Sequence, residues 1–471
     1  MKVDFSKLER AFNPKCIAVI GDKGPNFQWS KSQSDFKGSL YSVQIDPKEI
    51  EGIVALGVTN YTSLMDIPEP VDLAIVAVPR EITPRIIEDL IRKDVAAAHF
   101  YTAGFSETHT EEGIKLERLL VERAEQANLH LIGPNCMGVR NPRAGVGQLV
   151  KEQSGPFAGS LGFISQSGMN AGALIREAQQ QGVNTHKSVS FGNGVILEST
   201  DYLEYFGQDT EITGIGMYVD GVRDGRRFLR VLREVSARKP VVIWKGGRTH
   251  DGQRAAASHT DSMAVPQEIW EAGLRQCGAI NAYSVEELMD ILKGLQYFSP
   301  VHGDGVAITG GSGGQSIVVA DVFSEAGLRV PELTRESFDE FGKFFTLIGG
   351  AFSNPIDTAN ENRSQMTRIL EILEKDANID NLVLIQGARA GSGPQFEAVL
   401  KSLTDIRKRG AKPVMVVLSV SFSPEEAEQA GDTIQKFQEE GIATFLSLER
   451  GARALRKALD YYNWKNGVTS S

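Results

Sequence analysis

Short apolar runs alternate with amphipathic stretches along the whole 471-residue chain. The runs are four to six residues long, a length typical of strands buried on both faces of a sheet. Stretches between them, such as Ile82–Lys93, space their apolar residues as on one face of a helix. This alternation predicts an α/β fold with parallel sheets. The predicted strands are Cys16–Gly21, Leu40–Ile45, Leu73–Val78, Ala96–Phe100, Leu129–Ile132, Gly162–Ser165, Ser188–Phe191, Ile215–Val219, Val241–Trp244, Val306–Thr309, Leu382–Ile385, Val414–Leu418 and Ala443–Leu446.

The strands fall into three series, which predicts three domains. A chain of 471 residues is also too long for a single hydrophobic core. We expect a Rossmann-type domain over residues 1–145 and two flavodoxin-like domains over residues 150–298 and 303–465. The Pro- and Gly-rich stretch over residues 141–159 is the predicted linker between the first two.

Composition excludes several classes of protein. No apolar run approaches the length of a membrane span, and the N-terminus lacks the features of a signal peptide, so we expect a cytoplasmic protein with no membrane partner. A net charge of −10 without a strongly basic segment disfavours nucleic-acid binding. The three cysteines, Cys16, Cys136 and Cys277, have scattered spacings that predict buried small side chains rather than a disulfide framework or a zinc site. No metal site is predicted.

One histidine stands in a setting suited to phosphoryl chemistry. Residues 245–263 form a predicted flexible loop of small and cationic residues, in which His259 lies between two hydroxyl side chains. Lys245, Arg248 and Arg254 could offset anionic charge, and an imidazole titrating near neutral pH is an available nucleophile. The alternative is an ordinary surface histidine.

Two turns resemble each other at the starts of the second and third predicted domains. In both, a short apolar strand runs through glycine and serine into a helix, at residues 165–168 and 310–314. Such a helix start binds anions through free N–H groups and the helix dipole, although tight turns also need glycine for steric reasons alone. The turn Gly310–Gly314 lacks the Gly-Lys-Ser/Thr ending of a P-loop, so a Walker-type nucleotide site is not predicted. The predicted phosphate-binding residues are Ser165, Gln166, Ser167, Gly168, Gly310, Gly311, Ser312, Gly313 and Gly314.

Motifs spread over nearly the whole chain resemble one known family. They are similar to those of the alpha subunits of NDP-forming acyl-CoA synthetases, relatives of succinyl-CoA synthetase, and most closely to the ADP-forming acetate–CoA ligases. The motifs that carry the resemblance are Ile17–Gly21, Pro68–Pro79, Ala103–Glu107, Ile132–Gly138, Ile164–Gly168, Ser190–Asn193, Tyr218–Gly225, Lys245–Thr249, Ala256–Thr260 and Asn354–Asp357.

The resemblance implies a reaction and the residues that serve it. Acyl-CoA and phosphate would give an acyl phosphate and CoA, the acyl phosphate would phosphorylate His259, and the histidine would pass the group to ADP or GDP. Asp220 would take the place of the glutamate that orients this histidine. The two glycine turns would hold the phosphoryl group between paired helix ends. The first domain would bind CoA, with contacts expected at Gly21, Val78, Pro79 and Asn135.

The resemblance also implies partners. A separate ATP-grasp beta subunit would bind ATP or ADP with Mg²⁺, because no segment of this chain resembles that module. An α2β2 assembly and a small carboxylic acid substrate are expected with it.

Four loops depart from the family pattern. The segment Asp22–Ser30 replaces a small-residue turn, so Asp22 is expected to repel a CoA phosphate while Phe27 and Trp29 narrow the approach. Asp220 is one methylene shorter than the usual glutamate. The other two departures are Asp261–Val265, which puts an aspartate near the histidine, and Gly194–Leu197, which replaces a polar continuation with an apolar one. Two alternative functions therefore remain open: an acyl- or carbamoyl-phosphate transferase of the same fold, and a non-catalytic binding or regulatory subunit.

Overall fold

Three sheets with mainly parallel strands, flanked by helices, confirm the predicted α/β fold. The computed structural model divides into two compact units, Met1–Val285 and Glu286–Ser471. The structure describes residues 3–148, 158–257, 265–298, 300–311, 313–345, 352–358, 360–387, 391–410, 412–419 and 424–467.

The first sheet has the strand order of a Rossmann domain. Its six strands are parallel and run β3-β2-β1-β4-β5-β6. Every residue of β1, β4 and β5 is buried, as the continuous apolar runs predict. The strands are β1 (Cys16–Ile20), β2 (Ser39–Val43), β3 (Thr59–Tyr61), β4 (Leu73–Val76), β5 (Ala97–Phe100) and β6 (His130–Ile132), and the helices are α1 (Phe5–Phe12), α2 (Gln28–Ser32), α3 (Pro47–Ala55), α4 (Thr83–Arg92) and α5 (Glu111–Ala127).

The second sheet follows the flavodoxin order. Strands β8 to β12 are parallel and run β12-β11-β10-β8-β9, and β7 pairs antiparallel with the outer edge of β9. The strands are β7 (Gly138–Arg140), β8 (Ala158–Ser165), β9 (Thr185–Ser190), β10 (Gly214–Val219), β11 (Val241–Lys245) and β12 (Ile280–Ala282), and the helices are α6 (Gly168–Gln180), α7 (Ser199–Gln208), α8 (Gly225–Ser236), α9 (His250–Ala257) and α10 (Gln267–Cys277).

Strand β7 joins a different sheet from the one its sequence position suggests. It lies within residues 1–145, the predicted first domain, yet Val139 pairs with Val189 of the second sheet. Gly138 permits this path, since its φ is +71° and a Cβ there would lie 2.3 Å from Nδ1 of His99. The start of the predicted linker is a tight turn closed by hydrogen bonds between Asn141 and Val146. Residues 149–157 of that linker lie outside the described residues.

The second unit contains a third parallel sheet, in the order β13-β14-β15-β16. Two isolated parallel bridges lie at the ends of β13: Arg329 pairs with Gly305, and Ile356 pairs with Thr309. Arg450 of α17 forms two hydrogen bonds with the buried carboxylate of Asp290 on α11. The strands are β13 (Val306–Thr309), β14 (Asn381–Gly387), β15 (Val414–Ser419) and β16 (Ala443–Phe445), and the helices are α11 (Val285–Tyr297), α12 (Gly313–Glu325), α13 (Arg335–Gly342), α14 (Met366–Lys375), α15 (Pro394–Arg409), α16 (Pro424–Glu439) and α17 (Leu448–Lys465).

Sheet residues and helix faces form the hydrophobic cores. Cys16, Cys136 and Cys277 are buried and form no disulfide, which confirms the prediction of buried small side chains. Burial raises the pKa of the Cys16 thiol to about 12, so this thiol is protonated and unreactive at neutral pH. Among the described residues, no helix combines the length and apolar character that a membrane crossing requires.

Candidate functional site

A cavity of about 530 Å³ opens at the carboxyl ends of β8 and β10. These adjacent strands flank the point at which the strand order of the second sheet reverses, where open α/β sheets bind ligands. Its lining combines the predicted turn of β8, the end of β10 and one side of α9. The lining residues are Asn135, Gln166, Ser167, Gly168, Gly192, Asn193, Tyr218, Asp220, Gly247, Gly252, Ala255 and Ala256.

The turn after β8 directs a helix start at this cavity. Ser167 is the N-cap of α6, and its side chain accepts a hydrogen bond from the backbone N–H of Asn170 at 3.3 Å. The hydroxyl of Ser165 donates to the carbonyl of Ser167 at 2.7 Å. Gly168 keeps the turn tight, because a Cβ there would lie 2.9 Å from Cγ of Met137. The helix dipole and the free N–H groups of the first turn suit an anion here.

Gln166 ties the helix start to the neighbouring strand end. Its backbone N–H donates to the carbonyl of Tyr218 at 2.9 Å. Its side-chain Oε1 accepts from the backbone N–H of Asp220, also at 2.9 Å. The two predicted site elements, Ser165–Gly168 and Asp220, are therefore held together on one rigid edge.

Asp220 is oriented by a tyrosine. The hydroxyl of Tyr218 donates to Oδ1 of Asp220 at 2.7 Å. Burial raises the pKa of Tyr218, and the nearby carboxylate raises it further, so the hydroxyl keeps its proton and remains a donor. Gly246 leaves room for this pair, because a Cβ there would lie 2.4 Å from Oδ1 of Asp220 and 2.6 Å from the tyrosine hydroxyl.

The three cations predicted to face an anion have other partners and do not line the cavity. Lys245 is buried and donates to the carbonyls of Gly246 and Gly247. Burial lowers its pKa, while the negative charge of Asp220 opposes this shift. Arg248 donates to the carbonyl of Tyr283 and stacks on its ring, and Arg254 forms an exposed ion pair with Asp251. The helix start at Gly168 is therefore the main positive feature of this cavity among the described residues.

The predicted flexible loop is partly a helix. Residues His250–Ala257 form α9, so the prediction of a continuous loop over residues 245–263 is wrong for this stretch. The hydroxyl of Thr249 accepts from the N–H of Gly252 at 3.1 Å, which starts the helix, and alanines continue it. His259 and Asp261 lie outside the described residues.

The second glycine turn lies in the second unit. Gly310 follows β13 with φ +98°, and a Cβ there would lie 2.0 Å from the carbonyl oxygen of Ile385, so only glycine fits. Helix α12 begins at Gly313, as the sequence predicts for a strand–turn–helix. A cavity of about 220 Å³ opens beside Gly310 at the ends of β13 and β14. Ser312 lies outside the described residues, and phosphate binding by this turn stays a prediction.

The predicted CoA-side residues lie along the carboxyl edge of the first sheet. Gly21 follows β1 with φ +80°, and a Cβ there would lie 2.5 Å from Cγ1 of Val78. The carbonyl of Val78 accepts from the hydroxyl of Thr102 at 2.7 Å, and the carbonyl of Thr102 accepts from the N–H of Asn135 at 2.9 Å. Pro79 is exposed beside them. The structure thus brings together all four residues, and Asn135 also lines the cavity at β8.

The segment after Gly21 has a different role from the one expected. Asp22 is only 3% exposed, and its Oδ2 accepts hydrogen bonds from the backbone and the hydroxyl of Ser30, at 2.8 and 2.7 Å. Its carboxylate therefore fixes the short helix α2 from within, rather than facing the sheet edge where a phosphate would bind. Trp29 is buried against His99 and Tyr101, with ring centroids 5.0 Å apart in both pairs, so it does not narrow the approach.

Phe27 covers the neighbouring helix instead. A Cβ added to Gly52 of α3 would lie 2.3 Å from Cζ of Phe27, so the ring rests on the helix backbone. The apolar run Gly194–Leu197 also packs inward: Val195 and Leu197 are buried in the cores. Packing therefore accounts for Phe27 in the first departure and for the apolar residues of Gly194–Leu197.

Sequence reasoning assigned no role to Tyr218 or Gly246. Residues two apart on a strand point to the same face, so the spacing of Tyr218 and Asp220 was a usable signal. Sequence spacing could not predict that Gly246 lies next to Asp220, because this contact depends on the pairing of β11 with β10. In that register Tyr218 pairs with Trp244, which brings Gly246 opposite Asp220.

Comparisons with known proteins agree with this architecture. Residues 15–142 match the family described as CoA binding domain, and residues 158–295 match the succinyl-CoA ligase like flavodoxin domain. The chain is 31% identical to the alpha subunit of ADP-forming acetate–CoA ligase II of Pyrococcus furiosus, over 93% of this chain and 94% of that one. The chain belongs to the family of ADP-forming acetate–CoA ligases. The resemblance predicted from the motifs is confirmed.

Other members of this family vary in length. The chain is 37% identical to the ADP-forming acetate–CoA ligase I of Archaeoglobus fulgidus, but spans only 54% of that protein.

A solved structure is also similar to this chain. It is the dinucleotide-forming acetyl-coenzyme A synthetase 1 of Candidatus Korarchaeum cryptofilum, in complex with phosphate and ADP. It matches with a TM-score of 0.83 and 29% identity, covering 98% of both chains.

Proposed function

We propose that this chain is the catalytic alpha subunit of an ADP-forming acyl-CoA synthetase that carries its phosphoryl group on His259. The reaction interconverts a small carboxylic acid, CoA and ATP with acyl-CoA, ADP and phosphate. The observation that carries the proposal is the cavity between β8 and β10, where a helix start and a fixed carboxylate lie at a ligand-binding edge. Family membership supports the same reaction class.

His259 is within reach of this cavity along the chain. Ala256 of α9 lines the cavity, and His259 follows three residues later. Three residues span at most about 11 Å, so the chain limits His259 to the neighbourhood of the cavity wall. A phosphohistidine could therefore be presented to the helix start at Gly168, where N–H groups and the dipole stabilise the phosphoryl oxygens.

Asp220 is the proposed partner of His259. A carboxylate that accepts a hydrogen bond from one imidazole nitrogen leaves the other nitrogen as the nucleophile and fixes the direction of the ring. Asp220 is shorter than the glutamate expected in the family, and the Tyr218 hydroxyl together with the Gln166 side chain holds it at the cavity edge. The carboxylate therefore keeps its orienting role despite its reduced reach.

The edge of the first sheet is the proposed CoA site. Its surface suits a ligand with an apolar arm and a polar end, because the exposed side chains of Pro79, Tyr101 and Asn135 stand along it. CoA supplies the thiol that accepts the acyl group. Asn135 lies on both this edge and the cavity, which gives the acyl group a short path to phosphate. Lys23, exposed beside the turn, is the cation best placed to meet a CoA phosphate.

A separate ATP-grasp beta subunit is proposed to bind ATP or ADP with Mg²⁺, in an α2β2 assembly. The support is that two relatives of this chain are named as alpha subunits of ADP-forming acetate–CoA ligases. The domain limits 1–145, 150–298 and 303–465, the second phosphate-binding turn Gly310–Gly314 and a cytoplasmic location belong to the same proposal.

The test is the full reaction with the partner subunit present. Steady-state ADP release from ATP, beyond the single equivalent that phosphorylation of His259 yields, should require CoA and a small carboxylic acid together. Asp220→Glu should retain much of the activity, whereas Asp220→Ala should lose at least about tenfold, the cost of a hydrogen bond to a charged group. Glu51→Ala, which removes an exposed carboxylate on α3, is the control and should leave the rate unchanged. Steady-state ADP release that does not depend on CoA would contradict the synthetase reaction.

A further inference from the structure

A second polar cluster lies at the opposite end of the same sheet from the cavity at β8. His186 is the second residue of β9, so it belongs to the amino end of that strand. The loop after α7 brings Asp209 and Glu211 beside it. Both carboxylates line a cavity of about 450 Å³ that also borders α1. No step of the proposed reaction uses these residues.

The geometry of the histidine is unusual for a core residue. Its side chain is only 2% exposed, yet neither ring nitrogen makes a hydrogen bond within the described part of the chain. Nε2 lies 3.6 Å from Oδ2 of Asp209 and 3.6 Å from Oε2 of Glu211. These separations are too long for hydrogen bonds, and a buried polar atom without a partner is costly.

The same distances suit a shared cation. Ligand atoms about 2.0–2.2 Å from a tetrahedral zinc ion lie roughly 3.4 Å from one another. The three candidate atoms all lie within 4.8 Å of each other, so a small movement would complete the geometry. Imidazole with carboxylate oxygen is a donor set that divalent transition metals accept.

The two carboxylates are held in place by other contacts. Oδ1 of Asp209 accepts from the backbone N–H of Glu211 at 2.9 Å, and its Oδ2 lies 2.7 Å from Nζ of buried Lys187. Glu211 pairs with Arg143 through its other oxygen, Oε1. A carboxylate offers about four lone-pair positions, so each can keep its cation and still bind a metal. These contacts orient the ligands, as outer partners do in metal sites.

We propose that His186, Asp209 and Glu211 form a binding site for a divalent transition-metal cation of the zinc class. Nε2 of His186 and one oxygen of each carboxylate are the ligands, and the cavity leaves a fourth position for water. The ion would connect β9 to the segment between α7 and β10 and so stabilise this part of the second sheet. The spacing of the three residues in the sequence gives no sign of the site.

The test is zinc binding by the purified full chain after removal of metal with a chelator. Calorimetric titration with Zn²⁺, and Co²⁺ as a spectroscopic probe, should show one site with the visible absorption of a four-coordinate ion. His186→Gln should abolish it. Glu211→Gln, a change at a half-exposed side chain that leaves the core intact, should weaken zinc affinity at least about tenfold.

Two histidine variants serve as controls for other metal-binding positions. His250→Gln removes an exposed imidazole, and His259→Gln removes the proposed phosphoryl carrier. Neither should change the affinity of the site. Zinc should also raise the melting temperature of the wild type by more than that of Glu211→Gln at the same zinc concentration.

Equal zinc binding by wild type, His186→Gln and Glu211→Gln would overturn the proposal, as would an absence of binding at millimolar Zn²⁺. In the latter case Lys187 and Arg143 are the cations that balance the two carboxylates. Because activity is not the readout, failure of this site leaves the proposed function untouched.

Discussion

The hydroxyl of Tyr218 donates a 2.7 Å hydrogen bond to the carboxylate of Asp220 at the end of β10. Asp220 directly follows β10 and lies two residues after Tyr218, so the two side chains can meet, and the missing side chain of Gly246 leaves them room. The bond holds a short carboxylate at the wall of the cavity between β8 and β10. We take it to be the feature that lets an aspartate serve where the family resemblance leads one to expect a glutamate.

Removing this hydrogen bond should slow the reaction without weakening substrate binding. In Tyr218→Phe the ring still fills its space, but Asp220 loses its donor. A hydrogen bond to a charged group is worth about 1.5–3 kcal/mol, so kcat should fall about tenfold or more while the KM values stay near those of the wild type. The measurement is steady-state ADP release with the partner subunit.

The matched control for this change is Tyr283→Phe. Tyr283 also donates to a carboxylate, Oε1 of Glu271 at 2.7 Å, but it does not line the cavity. Its variant should keep the wild-type kcat. Equal rates for Tyr218→Phe and the wild type would show that Asp220 needs no orientation.

The turn at Gly21 should be essential for CoA binding. Gly21→Ala forces a Cβ to within 2.5 Å of Val78 and strains a backbone with φ +80°. Gly57→Ala imposes the same φ of +80° in open space, so it separates backbone strain from the steric effect. Calorimetric titration should show CoA affinity reduced at least about tenfold in Gly21→Ala and unchanged in Gly57→Ala. Equal affinities in the two variants would remove the CoA site from this edge.

Asp22 should contribute to stability rather than to phosphate repulsion. Asp22→Ala removes the acceptor for the backbone N–H and hydroxyl of Ser30, which should lower the free energy of unfolding by about 1–3 kcal/mol because buried donors lose their partner. CoA affinity should not rise. Glu51→Ala, which removes one exposed negative charge from the same lobe, is the control and should change neither quantity. Tighter CoA binding by Asp22→Ala at undiminished stability would restore the repulsion interpretation.

Buried His99 should make the fold acid-sensitive. Burial lowers the pKa of His99 from 6.5 to about 4, so between these values the unfolded chain binds a proton that the folded chain does not. Stability is therefore lost as pH falls from 6.5 to 4, by up to about 3 kcal/mol, and no further through this group below that. Urea unfolding should show a correspondingly shallower pH dependence for His99→Gln.

The surface variant His250→Gln controls for the loss of an imidazole as such. Its unfolding free energy should follow the wild-type pH profile. A wild-type profile in His99→Gln as well would mean that folding does not lower the pKa of His99.

Much of the fold follows directly from the hydrophobic pattern. All thirteen predicted strands correspond to observed ones, because strands buried on both faces require continuous apolar runs. The hydrophobic pattern misses the short strands β3, β7 and β12, because Asn60, Arg140 and Asn281 leave them without a continuous apolar run. The sheet to which β7 belongs is set by tertiary pairing and by Gly138, neither of which leaves a periodic signal.

Charge and bulk were less reliable guides to the site. The sequence predicts that Asp22 and Trp29 obstruct a ligand. In the structure both are buried: Asp22 accepts a hydrogen bond from Ser30, and Trp29 is a core side chain. The sequence predicts that Lys245 offsets the charge of a phosphate, but this side chain is buried and donates hydrogen bonds to backbone carbonyls. Sequence gives the residue type, whereas the direction of the side chain depends on the neighbouring element.

The central claim is that His259 carries the phosphoryl group. The direct measurement is labelling of the complete complex with γ-³²P-labelled ATP, followed by separation of the subunits and tests of acid and base stability. The account predicts a label on this chain that is lost in acid, stable in base and absent in His259→Ala. When unlabelled ADP is added, the labelled phosphoryl group should pass to it and form labelled ATP. A label that persists in His259→Ala, or no label on the wild-type chain, would contradict it.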